Sequence, residues 1–335
     1  MHLAVTVIAG LRDAPKQKTL RALGFRAADV EIDPEAHDDY SLLLAERLVA
    51  RAQEGARGTT LVDAPAGTDP VELALVLPRV FESWGSDVHL AAIVAVTTAA
   101  DVRTLLFRDP AAEESSVGLP EQLALQVEFA TVVVVADAAS ISPAHMLEVR
   151  GLLSKINPAA LQLELTSTGA LRRLGPARSR ASVEALGRSV GWMLELSGLP
   201  LPTIVHGVGC VVYRDPRPFH PVRLAAGIND WLEPAEAGLI VRSRGLVRLA
   251  TRPDRIGSWS TAGEVLALDP TAMKSWDENS PPGQELVFFG LGLNRDYITR
   301  VLDSCLLSDD ELVAGPMEWE TYYDPFPAWN FEHGH

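Results

Sequence analysis

Cysteine is scarce in this sequence: two in 335 residues, Cys210 and Cys305. Two thiols cannot build a disulfide framework or a four-thiolate zinc site. Positive charge is also short. Lys and Arg number 29 against 44 Asp and Glu, a formal net charge of −15. A nucleic-acid surface needs clustered Lys and Arg, so direct nucleic-acid binding is not expected. The same balance suits basic partners or metal cations, and equally a soluble acidic protein with no such role. No apolar stretch approaches the length of a membrane span. The start, "MHLAVTVIAGLRDAP", lacks the basic region and the long apolar core of a secretory signal. A cytoplasmic location is therefore expected. Internal repeats and low-complexity tracts are missing, as is any Ser/His/Asp or Cys/His arrangement for a nucleophile.

What is present begins with alternation. Apolar, β-branched runs at residues 3–9, 59–62, 90–96 and 131–135 read as buried strands, apolar on both faces. Helical patterns lie between them. "YSLLLAERLVARAQEG" places Leu43, Ala45, Leu48, Val49 and Ala52 near helical spacing and stops at Gly55. "SPAHMLEVRGLLSKINPAA" opens on Ser-Pro and ends before Asn157-Pro158. Strand–helix repetition predicts a parallel sheet with helices on both faces. Residues 168–202 are basic and rich in small residues, and read as a connecting segment with one amphipathic helix. Beyond them the rhythm changes. Strands are expected at 203–213 and 264–268 and in "QELVFFGLG", and a strand or hairpin at 238–251. Helices are expected in "PFHPVRLAAGINDWL" and in "NRDYITRVLDSCLL", the latter capped by Asn294. This half reads as a smaller α+β domain. The expected division is 1–202 and 203–335, the second ending in an aromatic, acidic tail that packs as an irregular extension.

One loop carries a question of chemistry. In "VTVIAGLRDAPKQKTL" an apolar strand reaches Gly10, and Lys16 follows at the spacing of a phosphate-binding loop. Such a loop needs a glycine before the lysine and a Ser/Thr after it, for backbone approach to phosphate and for Mg²⁺. Pro15 stands at the first position and Gln17 at the second. Proline has no N–H to offer a phosphate, and its fixed φ resists the loop's shape. Asp13 adds a carboxylate where anionic phosphates would lie, and Lys18 and Thr19 do not restore the register. The bland reading is a strand–loop–helix that no longer grips phosphate.

The second half resembles the C-terminal domain of the CobW-type GTPases, the proposed metal chaperones. The resemblance rests on "VVYRDPRPFHPVRL", "GLIVRSRGLVRLATRPDRIGSWSTAG" and "QELVFFGLGLNRDYITRVLDSCLLSDDE", in that order. The first half is similar more loosely, through "LVDAPAGTDP", "EFATVVVVAD" and "LLSKINPAA". The resemblance implies a P-loop-NTPase-like, mainly parallel sheet plus the smaller α+β domain. It also implies what is degraded. Asp63 stands where the family's Mg²⁺-associated acid does, but "APAG" follows in place of the Thr- or Ser-containing turn, with Gly67 displaced by one position. The guanine-recognition positions hold Ala136, Asp137, Ala138 and Ala139. The family's Cys-x-Cys-Cys motif is replaced by "EIDPEAHDDYS". There His37, Asp38 and Asp39, with Glu35, offer N/O ligands to a divalent ion; acids before a helix also serve as dipole compensation. Gly10, Lys16 and Asp63 would form a vestigial nucleotide site.

His206 and Cys210, four apart on an expected strand, would share a face. His220 is expected to pack near a helix start, Cys305 to be a buried structural thiol, and Trp259, Trp276, Trp319 and Trp329 to be packing anchors. The resulting expectation is a cytosolic CobW-type paralogue, non-catalytic or weakly nucleotide-binding, that requires no cofactor. GTP with Mg²⁺, or zinc, are what a still competent site would take. Its partner would be a metalloprotein client, a ribosome-associated factor or an intact paralogue, with no membrane involved. The tail "CLLSDDELVAGPMEWETYYDPFPAW" is similar to that of actinobacterial relatives linked to zinc limitation and to hibernation-factor recruitment. The alternative is a GTP-hydrolysing zinc metallochaperone with divergent motifs.

Overall fold

The structure, a computed structural model, describes residues 2–22, 40–108, 118–165, 186, 188–231 and 234–329. The chain forms two compact units, Met1–Gly191 and Trp192–His335.

In the first unit β1 (Leu3–Ala9) is followed by α1 (Asp13–Ala22), α2 (Tyr40–Gln53), β2 (Gly58–Asp63), α3 (Pro70–Ser83) and β3 (Val88–Thr97). A short α4 (Ala99–Asp101) runs into a π-turn at Val102–Leu106. Then come α5 (Leu119–Glu128), β4 (Val132–Val135), α6 (Pro143–Ile156) and β5 (Leu161–Glu164). The strands pair in parallel in the order β2-β1-β3-β4-β5. Both faces are covered, as the doubly apolar runs require. Leu3, Val5 and Val7 of β1 pack with Leu44 and Leu48 of α2 and Leu73 and Leu77 of α3. Ile8 of the same strand joins Leu20 of α1, Val94, Val96, Val132 and Val134 on the other face. The chain leaves β1 to one side for β2 and then crosses to the other side for β3. The crevice between the C-terminal ends of β1 and β3 is thus the sheet's switch point, where open α/β sheets hold ligands.

Asn157, just after α6, ties two helix ends together. It is buried, and its Nδ2 donates to the carbonyls of Val127 (2.8 Å), Glu128 (3.0 Å) and Ala130 (2.9 Å) at the end of α5. Its Oδ1 accepts from Ala160 N–H at 3.1 Å. The last carbonyls of a helix lack intrahelical partners, and Asn157 supplies one for α5.

The second unit holds β6 (Ile204–Val205), β7 (Val208–Asp215), α8 (Pro221–Trp231), α9 (Pro234–Ala237), β8 (Leu239–Val247), β9 (Arg255–Ala262), β10 (Val265–Lys274), β11 (Gln284–Leu291), α10 (Arg295–Cys305), α11 (Asp309–Ala314) and α12 (Pro316–Trp319); α7 (Gly191–Leu196) precedes it across the boundary. Its sheet is antiparallel in the order β10-β9-β8-β11-β7-β6. Leu224 of α8 and Ile298, Leu302 and Cys305 of α10 pack against Val211, Trp259, Leu286 and Phe288. The two helices approach closely at Gly227, where a Cβ would lie 2.6 Å from Cys305 Sγ. Cys305 is buried, and its thiol donates to the Val301 and Arg223 carbonyls.

The structure corrects the run expected at 203–213. It is a hairpin: His206 (φ 49°) and Gly207 (φ 87°) form a two-residue turn between β6 and β7. Positive φ at both central residues is the type I′ pattern that matches strand twist. His206 therefore does not share a strand face with Cys210. Trp259 is fully buried, with its Nε1 donating to Ser243 Oγ at 2.8 Å, whereas Trp276 is 67% exposed and anchors no core.

Candidate functional site

The connection from β1 to α1 is three residues long, Gly10 to Arg12. Asp13, Ala14 and Pro15 are already helical and make the first turn of α1. Pro15 is tolerated there because first-turn N–H groups have no intrahelical acceptor. Its carbonyl accepts from Thr19 Oγ1 at 2.9 Å. Residues that would wrap a phosphate in an open loop are thus wound into helix. Gly10 still has a steric task. A Cβ there would meet Val96 O at 2.7 Å and Lys16 Cγ at 3.1 Å, so the glycine lets β1 turn tightly against β3 and the lysine stem.

Lys16, on the fourth residue of α1, is buried at 1% exposure. Its Nζ donates to Asp63 Oδ1 at 2.9 Å and to the Ala64 carbonyl, and lies 3.1 Å from Asp13 Oδ1. An ammonium has three N–H donors, and three protein oxygens surround this one. Gln17 Nε2 donates to the other Asp63 oxygen at 2.9 Å. The hydroxyl that would ligate Mg²⁺ is thus replaced by an amide that occupies the carboxylate. Asp63 also presses on Tyr40 at the start of α2. Burial chiefly, and the Asp63 charge secondarily, raise that phenol's pKa above its ordinary value. Asp13 sits at the helix N-terminus, the end that attracts anions, and brings its own carboxylate there beside Lys16.

The neighbouring strand ends are tied in the same way. Arg12 Nε donates to Asp101 Oδ1 at 3.0 Å, and Asp101 Oδ2 accepts from Thr98 Oγ1 at 2.7 Å. Lys18 Nζ donates to Ala136 O at 2.7 Å. Asp137, in the stretch that the resemblance sets against the family's guanine-recognition motif, accepts from Ala99 N–H and from Ser140 Oγ. Its two oxygens join loops rather than face an open base pocket. Asp69 caps α3 by accepting from Val71 N–H at 2.8 Å, which accounts for Asp69-Pro70 without a ligand. Sequence reasoning singled out Gly10, Lys16 and Asp63, and the structure gathers them. It did not identify the Gln17–Asp63, Arg12–Asp101 or Lys18–Ala136 ties, because pairs so far apart in sequence leave no local signal.

These residues do not fit a nucleoside triphosphate with Mg²⁺ as they stand. Lys16 has Asp13, Asp63 and the Ala64 carbonyl around its ammonium, the carboxylate that would face Mg²⁺ is held by an ammonium and an amide, and no hydroxyl directly follows the lysine. The suggested metal ligands His37, Asp38 and Asp39, with Glu35, lie outside the described residues. Among the described residues no group of three or more His, Cys, Asp or Glu is arranged to hold a metal ion. His220 packs its ring on Tyr322, with centroids 5.0 Å apart, and its backbone N–H donates to Cys305 O. Burial lowers its pKa below the ordinary imidazole value.

The tail is pinned to the second unit. Ser308 and Glu311 form a capping box on α11. Arg223 donates from both terminal nitrogens to the Glu311 carboxylate. Asp324 accepts from Thr251 Oγ1 (2.6 Å) and Arg252 Nε (2.9 Å). Trp329 Nε1 donates to Leu268 O at 3.0 Å, and its ring lies against Gly257, where no Cβ could fit. The Arg223 guanidinium, with smaller help from the Ser308 N–H, holds the Glu311 carboxyl at about 2. An unfolded glutamate titrates near about 4.3, so the folded value is depressed. This contribution is fully present above about pH 4.3 and is lost as pH falls toward 2. Glu311→Gln should lower the second unit's urea midpoint at pH 6, and the gap from wild type should close near pH 2. A gap that does not change with pH would remove Glu311 from the account.

Parts of the chain are similar in sequence to known proteins. Residues 194–306 match the family model described as the cobalamin synthesis protein cobW C-terminal domain. The chain is 30% identical over 240 residues to zinc-regulated GTPase metalloprotein activator 1 of Dictyostelium discoideum, across 64% of this chain and 50% of that protein. It is 33% identical over 159 residues to the zinc chaperone Rv0106 of Mycobacterium tuberculosis, across 40% of this chain and 38% of that one. The chain thus spans half or less of the length of these curated relatives. A structure of the Zn(II)-bound YjiA GTPase from E. coli aligns over 92% of this chain and 100% of its own, with 14% identity and a TM-score of 0.37. The chain is thus similar to CobW-type proteins, and residues 194–306 match that family's C-terminal domain.

Proposed function

We propose that this chain is a CobW-type protein working in metal handling as a binding or regulatory protein, without a nucleotide cycle. The observation that carries this reading is the buried Lys16 ammonium with Asp13, Asp63 and the Ala64 carbonyl around it. A phosphate would have to displace two carboxylates from the same cation, and the first turn of α1 would have to unwind to form a loop. The relatives' printed roles in zinc handling, and the chain's CobW-type C-terminal unit, support the metal-handling part. The partner would be a metalloprotein client, an intact paralogue or a ribosome-associated factor engaged under zinc limitation. A cytoplasmic location goes with this reading; no helix among the described residues is long and apolar enough to cross a membrane. The test is a calorimetric titration with GTP and GDP in the presence of Mg²⁺, where no saturable heat is expected.

A second reading is a GTP-dependent zinc metallochaperone. It is favoured by the gathering of Gly10, Lys16 and Asp63 at the sheet's switch point and by the relative named as a GTPase metalloprotein activator. Under that reading saturable binding appears, and zinc alters it.

A further inference from the structure

The segment 308–329 carries six carboxylates, at 309, 310, 311, 318, 320 and 324, and no Lys or Arg. Two of them, Glu311 and Asp324, are consumed in holding the segment to Arg223 and Arg252. The other four, Asp309, Asp310, Glu318 and Glu320, have no ion-pair partner among the described residues. Three large apolar side chains stand among them almost free of the protein: Val313 is 88% exposed, Met317 89% and Tyr323 75%. Single exposed apolar residues need no explanation, but three on one short acidic segment do. Chain mobility does not account for them. The segment is fixed by a capping box, by Trp319 Nε1 donating to Glu311 O, by the Asp324 ties to Thr251 and Arg252, and by Trp329 on Leu268 O. Beside it opens a cavity of about 520 Å³ that Arg252 and Arg255 line together with their partners Asp324 and Asp254, so the cavity itself offers a cation no free carboxylate but Glu320.

We infer that the outer face of 308–329 is a docking surface for a basic, amphipathic segment of a partner protein. Val313, Met317 and Tyr323 would receive the partner's apolar side chains. Asp309, Asp310, Glu318 and Glu320 would face its Lys and Arg residues. Pinning the segment in advance removes an ordering cost on binding. A second copy of this chain is disfavoured as the occupant, because its charge of −15 would meet the same four carboxylates. The inference deepens the partner-binding part of the proposed function and does not depend on the state of the nucleotide site.

The test uses the full chain and a fluorescein-labelled amphipathic helical peptide of lysine and leucine, followed by anisotropy at low and high salt. Any cation is drawn to an acidic protein, so the control is a charge reversal of equal size elsewhere, Glu46→Lys with Glu54→Lys on and just after α2. Glu318→Lys with Glu320→Lys should weaken binding by about tenfold or more, and the control pair by about twofold or less. Val313→Ser with Met317→Ser should weaken it about tenfold at high salt, where screening leaves the apolar contacts dominant. All these residues are exposed, so unchanged circular dichroism should accompany each variant. The inference is overturned by equal losses from both charge reversals, or by no loss from the serine pair. Sedimentation of the wild type as a dimer that Met317→Ser dissociates would also overturn it, in favour of self-association. A failure here would leave the nucleotide titration unaffected.

Discussion

Lys16→Met should destabilise the first unit by about 3 kcal/mol, since removing one partner of a buried ion pair strands the other. At roughly 2–4 °C per kcal/mol for a unit of this size, the thermal midpoint falls by roughly 6–12 °C. The loss arises because Asp63, at 18% side-chain exposure, would keep its charge with only Gln17 to answer it. Lys16→Met with Asp63→Asn should cost less than the sum of the single changes, since the double variant has no stranded carboxylate. A lysine held ready for phosphate behaves otherwise: its loss leaves the melting temperature nearly unchanged and removes ligand binding. Differential scanning calorimetry of the four proteins distinguishes the cases. A shift of less than about 2 °C for Lys16→Met would mean that the cation is not structural.

Asn157 should prove nearly as costly. Asn157→Ala leaves the carbonyls of Val127, Glu128 and Ala130 without their side-chain donor in a buried site, a loss of about 3 kcal/mol. Asn157→Asp is almost isosteric and should be worse at neutral pH, because it aims carboxylate oxygens at three carbonyl oxygens. Burial and those carbonyls disfavour ionisation, so the folded state resists losing the proton. Stability fully present below the unfolded aspartate value near about 3.9 is then lost as pH rises from there through the raised folded value. The expected result is a first unit more stable at pH 4 than at pH 7 for Asn157→Asp, with no such trend for Asn157→Ala. Urea midpoints at the two pH values measure it. Parallel pH behaviour of the two variants would show that the Nδ2 contacts do not control this junction.

The parallel sheet was legible because its strands are buried on both faces. Leu3–Ala9 and Val132–Val135 are nearly all apolar, and no other element of that length and composition fits between helical patterns. Local caps were legible for the same kind of reason: Ser142 before Pro143 and Asn294 before Arg295 act through neighbours three residues away. The turn at His206-Gly207 was not, because a positive φ at histidine is unusual and the apolar run continues on both sides of it. The candidate site was half legible. The misfit of Asp13, Pro15 and Gln17 to a phosphate loop can be read from spacing alone. That the lysine faces inward is a tertiary fact, set by Asp63 forty-seven positions away. The role of Asn157 was hidden too, since "INPA" reads as a helix stop whether or not its amide gathers carbonyls from α5.

The central claim is that this chain, similar to CobW-type GTPases, keeps the frame of a nucleotide site and fills it with its own side chains. Isothermal titration of the full protein with GTP and GDP, with Mg²⁺ present and an intact CobW-type GTPase as positive control, tests it most directly. The predicted result is no saturable heat for this chain and no thermal stabilisation by either nucleotide. Saturable micromolar binding that Lys16→Ala abolishes would contradict it: Lys16 would then have to leave Asp13, Asp63 and Ala64 for phosphate, and the closed arrangement would be one state of a working switch.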